Sequence, residues 1–119
     1  MQPLSLIKAP NKYATSVIIL LLSLSVQAVF ADTPVYEIRI KDHLFQPSRL
    51  EIPANTKVKL LILNEDNTPE EFESYELNRE KVIMGHSKGI IFIGPLKLGS
   101  YPFFGEFNPL TAQGSVEVK

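Results

Sequence analysis

The chain has 119 residues, with 12 Lys and Arg against 13 Asp and Glu, so its formal net charge is −1. This length favours one small domain, and the absence of a basic excess argues against nucleic-acid binding. The chain contains no cysteine, which excludes disulfide scaffolds, thiolate zinc sites, iron–sulfur clusters and cysteine nucleophiles.

The N-terminal segment differs in kind from the rest of the chain. Lys8 and Lys12 are its only charges, and residues 14–26 are apolar or small. Val29 and Ala31 place small residues at the −3 and −1 positions of a cleavage site. We therefore predict a signal peptide over residues 1–31 and an exported, periplasmic domain over residues 32–119. The alternative is an uncleaved segment that anchors the protein in the membrane.

The pattern of the remaining residues predicts short strands. Residues 35–41 alternate apolar and charged side chains, the period of a half-buried strand. Similar segments follow, separated by Pro, Gly, Asn or Asp, at residues 50–52, 57–63, 89–93, 101–104 and 115–118. Residues 70–81 are less regular and predict a strand over 72–75 followed by an irregular or helical turn. This spacing is typical of an all-β sandwich or small barrel.

The apolar positions of these segments predict the core of the sandwich and leave little room for helix. The expected core residues are Tyr36, Ile38, Ile40, Leu50, Val58, Leu60, Ile62, Phe72, Ile91 or Phe92, Tyr101, Phe103, Val116 and Val118.

Four segments in this order resemble a cupredoxin: FQPSRLEIPANTKV at 45–58, LNED at 63–66, LGSYPFF at 98–104 and GSVEV at 114–118. The resemblance implies an antiparallel Greek-key β-sandwich of seven or eight strands. More narrowly, TPEEFES at 68–74, REKV at 79–82 and YPFFGEFN at 101–108 look like the EfeO-type cupredoxin-like domains. That group is associated with bacterial iron-permease systems, so the resemblance implies a metal ion and an iron permease as partners.

The resemblance does not extend to the type 1 copper ligands, which are His, Cys, His and a weak axial Met. The matching positions hold Glu70, Gly105, Asn108 and, approximately, Ala112. Because the blue colour of such sites comes from the copper–thiolate bond, this chain cannot form a type 1 copper site.

The loops that border the metal end of a cupredoxin nevertheless contain candidate ligands. These residues are His43, Glu70, Met84, His86 and Glu106. Imidazoles with carboxylates suit Cu(II), Fe or Zn, and a thioether favours Cu(I). A copper or iron ion is therefore the expected cofactor. The alternative is that these are ordinary solvated and packing residues.

The acidic residues between 70 and 80 have a second interpretation. If Phe72 and Ser74 face the core, alternation sends Glu71, Glu73 and Tyr75 outward, where the acids form a surface patch.

Three functions remain. The first is a periplasmic metal-binding accessory of Fe²⁺ uptake, which receives or oxidises Fe²⁺ for a permease. The second is a protein-docking module of that system, using Glu71, Glu73, Glu76 and the aromatic rim. The third is a copper carrier using His43, Met84 and His86. Hydrolase and nucleotide-binding motifs are absent, and the sequence establishes no turnover.

Overall fold

Nine strands make up the regular structure of residues 32–119, which are the residues that the computed structural model describes. They are β1 (Val35–Lys41), β2 (Leu44–Gln46), β3 (Arg49–Ile52), β4 (Val58–Asn64), β5 (Glu70–Ser74), β6 (Arg79–Ile83), β7 (Lys88–Ile93), β8 (Gly99–Gly105) and β9 (Gln113–Val118). This part of the chain contains no helix, as the sequence predicted, and hence none able to cross a membrane. The predicted signal peptide lies outside the described residues.

The strands form a sandwich of two sheets. The four-stranded sheet has the order β2-β1-β4-β7, and the five-stranded sheet has the order β3-β9-β8-β5-β6. Most neighbours are antiparallel, but β1 runs parallel to β4, and β3 runs parallel to β9. The predicted all-β sandwich is confirmed, but its predicted antiparallel pairing does not hold for these two pairs. Alternation of side chains identifies a strand and its buried face, but it carries no information about the direction of the partner strand.

The sandwich has nine strands rather than the seven or eight predicted. The two missed strands are β2 and β6, and each gives a weak pattern. Strand β2 has only three residues, and β6 buries only Ile83 among its five residues. The strand predicted over 72–75 is observed as β5, Glu70–Ser74, while Tyr75 begins the turn before β6.

The core follows the predicted alternation, because every second side chain is buried in β4 and β7 of the four-stranded sheet and in β5 of the five-stranded sheet. Ile91 rather than Phe92 is buried, since Phe92 is 42% exposed, and Tyr36 and Tyr101 are only partly buried. The other predicted core residues are buried as expected. The structure adds Phe45, Ile52, Leu77, Ile83, Ile93 and Ala112 to the core.

Three phenylalanines occupy the centre of the sandwich. The ring of Phe103 stacks on that of Phe72, with centroids 4.9 Å apart. Phe45 meets both rings edge to face, at 5.0 Å from Phe103 and 6.1 Å from Phe72. Since edge-to-face and offset-stacked arrangements are the favourable ones for aromatic rings, this cluster joins β2 of one sheet to β5 and β8 of the other.

One end of the sandwich collects four connections, over residues 42–43, 65–69, 84–87 and 106–112, and we call it the loop end. Backbone hydrogen bonds tie the connections to the sheets and to each other. The N–H of Glu65 donates to the Ile40 carbonyl at 2.8 Å, and the N–H of Glu106 donates to the Glu71 carbonyl at 2.9 Å. The fold therefore brings residues from distant parts of the chain to one small surface.

Candidate metal centre at the loop end

The five residues predicted as metal ligands all lie at the loop end. His43 is in the β1–β2 turn, Met84 and His86 are in the β6–β7 turn, Glu70 begins β5, and Glu106 directly follows β8. They are not equally accessible. Four of them are exposed, namely His43, Met84, His86 and Glu106, whereas Glu70 is buried, at 1% exposure.

Asp66, which is not among the predicted ligands, brings the two histidine loops together. Its carboxylate accepts the backbone N–H of Asp42 at 2.8 Å and that of His43 at 2.9 Å. Its main-chain carbonyl accepts the N–H of His86 at 2.9 Å. His43 Nδ1 lies 3.7 Å from Asp66 Oδ2. The backbones of both histidines are thus hydrogen-bonded to the same residue, Asp66.

The backbone of both histidine loops is shaped for this arrangement. Asp42, His43 and His86 have φ values of 53°, 61° and 54°, in the left-handed region that Asp and His enter more readily than most residues.

The sequence indicates the role of Asp66 only weakly, because an Asp after a strand is common in turns of every kind.

Asn64 holds the loop of Asp66 in place. This residue is buried, and its side-chain amide donates to the carbonyls of Thr68 at 2.9 Å and Ile83 at 3.1 Å. Its Oδ1 accepts the N–H of Asp66 at 3.0 Å. Because both N–H groups and the oxygen of the buried amide are used, it fastens connection 65–69 to the end of β6.

The electrostatics of Asp66 favour its ionised form. Burial acts to raise the pKa of Asp66, but the hydrogen bonds from the N–H groups of His43 and Asp42, with the charges of His43 and His86, lower it overall. The negative charge of Asp66 is therefore favoured between the two histidine loops, and imidazoles with a carboxylate are donor types that suit Fe(II), Cu(II) or Zn(II).

An open groove of about 690 Å³ gives access to this region. It is lined by Leu63, Asn64, Glu65, His86, Ser87 and Lys88. A hydrated cation can therefore reach His86 from solvent.

Glu70 is engaged in a different way. Its Oε1 accepts the backbone N–H of Glu71 at 3.0 Å and that of Phe107 at 2.9 Å. Its Oε2 accepts the side-chain N–H of Asn108 at 2.8 Å. A buried carboxylate with three donors is satisfied without a metal ion.

The four positions that match the type 1 copper ligands converge around this carboxylate. A Cβ built on Gly105 would lie 2.6 Å from Glu70 Cδ and 2.7 Å from the Cβ of Ala112. The place of a cysteine side chain is therefore already filled, and the residues present do not fit type 1 copper.

A separate acidic cluster lies on the outer face of the five-stranded sheet. Within residues 32–119, Glu71, Glu73 and Glu80 form the group of three potential ligands whose oxygens lie within 4.8 Å of one another. The predicted outward direction of Glu71 and Glu73 is confirmed by the alternating burial of β5. Burial, the charge of Glu80 and then that of Glu71 raise the pKa of Glu73.

Comparison with known proteins identifies the family. The family model of the cupredoxin-like domain matches residues 14–118, and the chain belongs to that family. An uncharacterized protein of Rickettsia prowazekii (strain Madrid E) is 50% identical over 82 residues, which are 69% of this chain. The match spans 66% of that relative's length.

Solved structures support the same fold. The metal-binding domain of the Cu(I)-exporting ATPase CopA of Streptococcus pneumoniae D39, solved with Cu(I), superposes with a TM-score of 0.61 at 16% identity, covering 71% of this chain and 84% of that one. Amicyanin from Paracoccus versutus gives 0.56 at 18% identity, covering 76% and 85%. Auracyanin A, a blue copper protein of Chloroflexus aurantiacus, gives 0.62 at 12% identity, covering 74% and 100%. At these identities the similarity shows the fold alone.

Proposed function

We propose that this protein is an exported metal-binding accessory of iron uptake, which takes up Fe²⁺ at the loop end and passes it to a membrane permease. The observation that carries the proposal is the placement of His43 and His86 in two loops that both bind Asp66. The iron assignment rests on the resemblance to EfeO-type domains, and export rests on the character of residues 1–31.

The proposed donors are the imidazoles of His43 and His86 and the carboxylate of Asp66. Two imidazoles and one carboxylate form the donor set used for non-haem Fe(II). The hydrogen bonds to Asp66 leave further lone pairs on its oxygens. Both histidine side chains are exposed, so a metal ion can reach them from solvent.

Glu70 is excluded from this donor set because its oxygens are buried and hydrogen-bonded. Glu106 lies exposed at the same end of the sandwich and adds negative charge. Charge of this kind raises the local concentration of cations even where it makes no bond to them.

Anaerobic titration of the purified protein with Fe²⁺ tests the proposal. We expect His43→Ala, His86→Ala and Asp66→Asn each to weaken binding by about tenfold or more, since loss of even an indirect ligand contact commonly costs that much. Glu76→Gln is the matched control, because Glu76 is exposed and away from the loop end. The proposal is wrong if wild type and the His43→Ala/His86→Ala double variant bind Fe²⁺ equally.

Two further arms separate this site from the acidic cluster. Binding through imidazoles should weaken at acidic pH, because protons compete with the metal ion for the ring nitrogen. Replacing Glu71 and Glu73 by Gln should leave Fe²⁺ affinity nearly unchanged. A loss in that variant with none in the histidine variants would move the site to the outer face of the sheet.

A copper carrier is the second candidate, and Met84 favours it. Its side chain is 60% exposed in the same short turn as His86, so a soft thioether is available beside an imidazole. Met84→Leu should weaken Cu(I) binding and leave Fe²⁺ binding unchanged.

Protein docking is the interpretation to adopt if neither ion binds. The surface for it is the acidic cluster next to the exposed Tyr75, whose ring centroid lies 5.6 Å from that of Phe104. An iron permease is the partner to test in a pull-down, with Glu73→Lys as the variant expected to lose the contact.

A further inference from the structure

The carboxylate of Glu70 is buried without a basic partner. The ion pairs found within residues 32–119 do not include it. Three N–H donors surround it instead, from Glu71, Phe107 and Asn108. Removing a carboxylate from water is strongly unfavourable, unless hydrogen bonds replace the lost hydration. The donors at this site supply that replacement.

Two of these donors belong to connection 106–112, which precedes β9. The backbone of Phe107 and the side chain of Asn108 both point at Glu70, which begins β5 in another part of the chain. Glu70 thus joins the loop to the sheet. A metal ion bound at the four matching positions of a cupredoxin would join the same two pieces of chain.

We propose that the Glu70 carboxylate takes the structural place of the metal ion, as a positioning residue that fixes connection 106–112 by hydrogen bonds alone. The conformation of this loop is then independent of any metal. Gly105 supports the assignment, because a side chain there would collide with the Glu70 carboxylate and with Ala112. The inference is independent of the proposed iron site, which uses other residues.

Moving the carboxylate from position 70 to position 108 tests the contact between Glu70 and Asn108. Asn108→Asp places two carboxylates against each other. Adding Glu70→Gln restores a donor and an acceptor: the new amide oxygen at position 70 takes the two backbone N–H groups, and the new NH₂ donates to the carboxylate introduced at position 108. Repair of the first substitution by the second therefore requires the two side chains to lie close together.

Amide hydrogen exchange at Phe107 is the readout, with Leu60 in β4 reporting global opening. We expect exchange at Phe107 to be about tenfold or more faster in Asn108→Asp, the effect of losing one charge-assisted hydrogen bond. In Glu70→Gln/Asn108→Asp it should return to within about threefold of wild type, and Glu76→Gln should leave it unchanged. A double variant that exchanges as fast as Asn108→Asp overturns the proposal.

Asn108→Ala serves if Asn108→Asp does not fold. It removes one donor without adding charge, so Phe107 should exchange faster, and Glu70→Gln should not repair it. Repair of Asn108→Ala by Glu70→Gln contradicts the proposed contact.

The final arm tests independence from metal. Treating the wild-type protein with EDTA should change the exchange rate of Phe107 by less than about twofold. The reason is that hydrogen bonds to Glu70, and no bonds to a metal ion, must break when this loop opens. Loss of protection at Phe107 after chelation, with Leu60 unchanged, overturns the proposal. Failure of Fe²⁺ binding at His43, Asp66 and His86 would leave this result unaffected.

Discussion

Strand β5 carries glutamates in two opposite environments, although they are neighbours in sequence. Glu70 points inward, is 1% exposed and accepts three hydrogen bonds. Glu71 and Glu73 point outward and meet another acid, because Glu73 is the cross-strand partner of Glu80. The inward carboxylate is thus satisfied and the outward ones repel each other, which reverses the usual expectation for buried and exposed charge.

The difference shows that nearby donors, and not exposure, decide whether a carboxylate of this strand has its hydrogen bonds satisfied. Like charges opposite each other in a sheet are unfavourable. Lys81 on β6 does not relieve them, since its side chain lies over Gly89 on the other face of the strand. Substitutions along β5 test the contrast between the two faces.

Phe72→Ala should have the largest effect, because Phe72 is fully buried at the centre of the aromatic cluster. We expect a loss of about 3–5 kcal/mol in the free energy of unfolding, measured by urea denaturation. Tyr75→Ala, which truncates an exposed aromatic residue directly after the same strand, should change stability by less than about 1 kcal/mol. Equal losses would contradict the assignment of faces.

Glu70→Ala should follow, with a loss of about 3 kcal/mol, because two backbone N–H groups and the Asn108 amide lose their acceptor. Thermal unfolding of this variant and of Glu76→Ala gives the comparison. If Glu70→Ala is as stable as Glu76→Ala, the buried carboxylate does not hold the loop.

Ser74→Ala tests the other buried polar side chain of the strand. Ser74 Oγ donates to the Pro102 carbonyl at 2.7 Å and accepts the N–H of Leu77 at 3.1 Å. Removing it should cost about 1–2 kcal/mol. The exposed Ser48→Ala provides the control in urea denaturation, and a Ser74→Ala variant as stable as that control would show that the two bonds contribute nothing.

Glu73→Gln should have the smallest effect and the opposite sign: a slight gain in stability at neutral pH. The pKa of Glu73 is raised in the folded state by burial, by Glu80 and by Glu71, so its ionised form destabilises the fold. This penalty appears as the pH rises above the ordinary Glu value of about 4.3 and is complete above the raised folded-state pKa. The gain should therefore shrink as the pH falls towards about 4 and as salt screens the charges. Thermal unfolding across pH and salt measures it. A gain that persists at acidic pH would point to a cause other than charge.

The local alternation of apolar and polar residues predicted much of the fold. The alternation in residues 35–41 and 57–63 indicated which side chains face inward, since successive residues of a strand point to opposite faces. Strand β6 was not predicted, because only Ile83 is buried in it and its sequence therefore shows no alternation. The parallel direction of the pairs β1–β4 and β3–β9 was not predicted for another reason: contacts between segments far apart in the chain decide the direction of pairing.

The candidate site likewise has features that the sequence predicted and features that only the tertiary structure decided. The absence of cysteine alone excluded type 1 copper, and the resemblance to a cupredoxin, together with chain order, predicted that His43 and His86 lie near one end of the sandwich. Tertiary structure decided that Asp66 joins these two loops and that Glu70 is enclosed by donors from residues 107 and 108. Composition and spacing determine which chemistry is available, but hydrogen bonds between residues far apart in the chain, such as Glu70 and Asn108 at a separation of 38 positions, determine where a carboxylate lies and what it bonds. Only folding brings such groups within bonding distance.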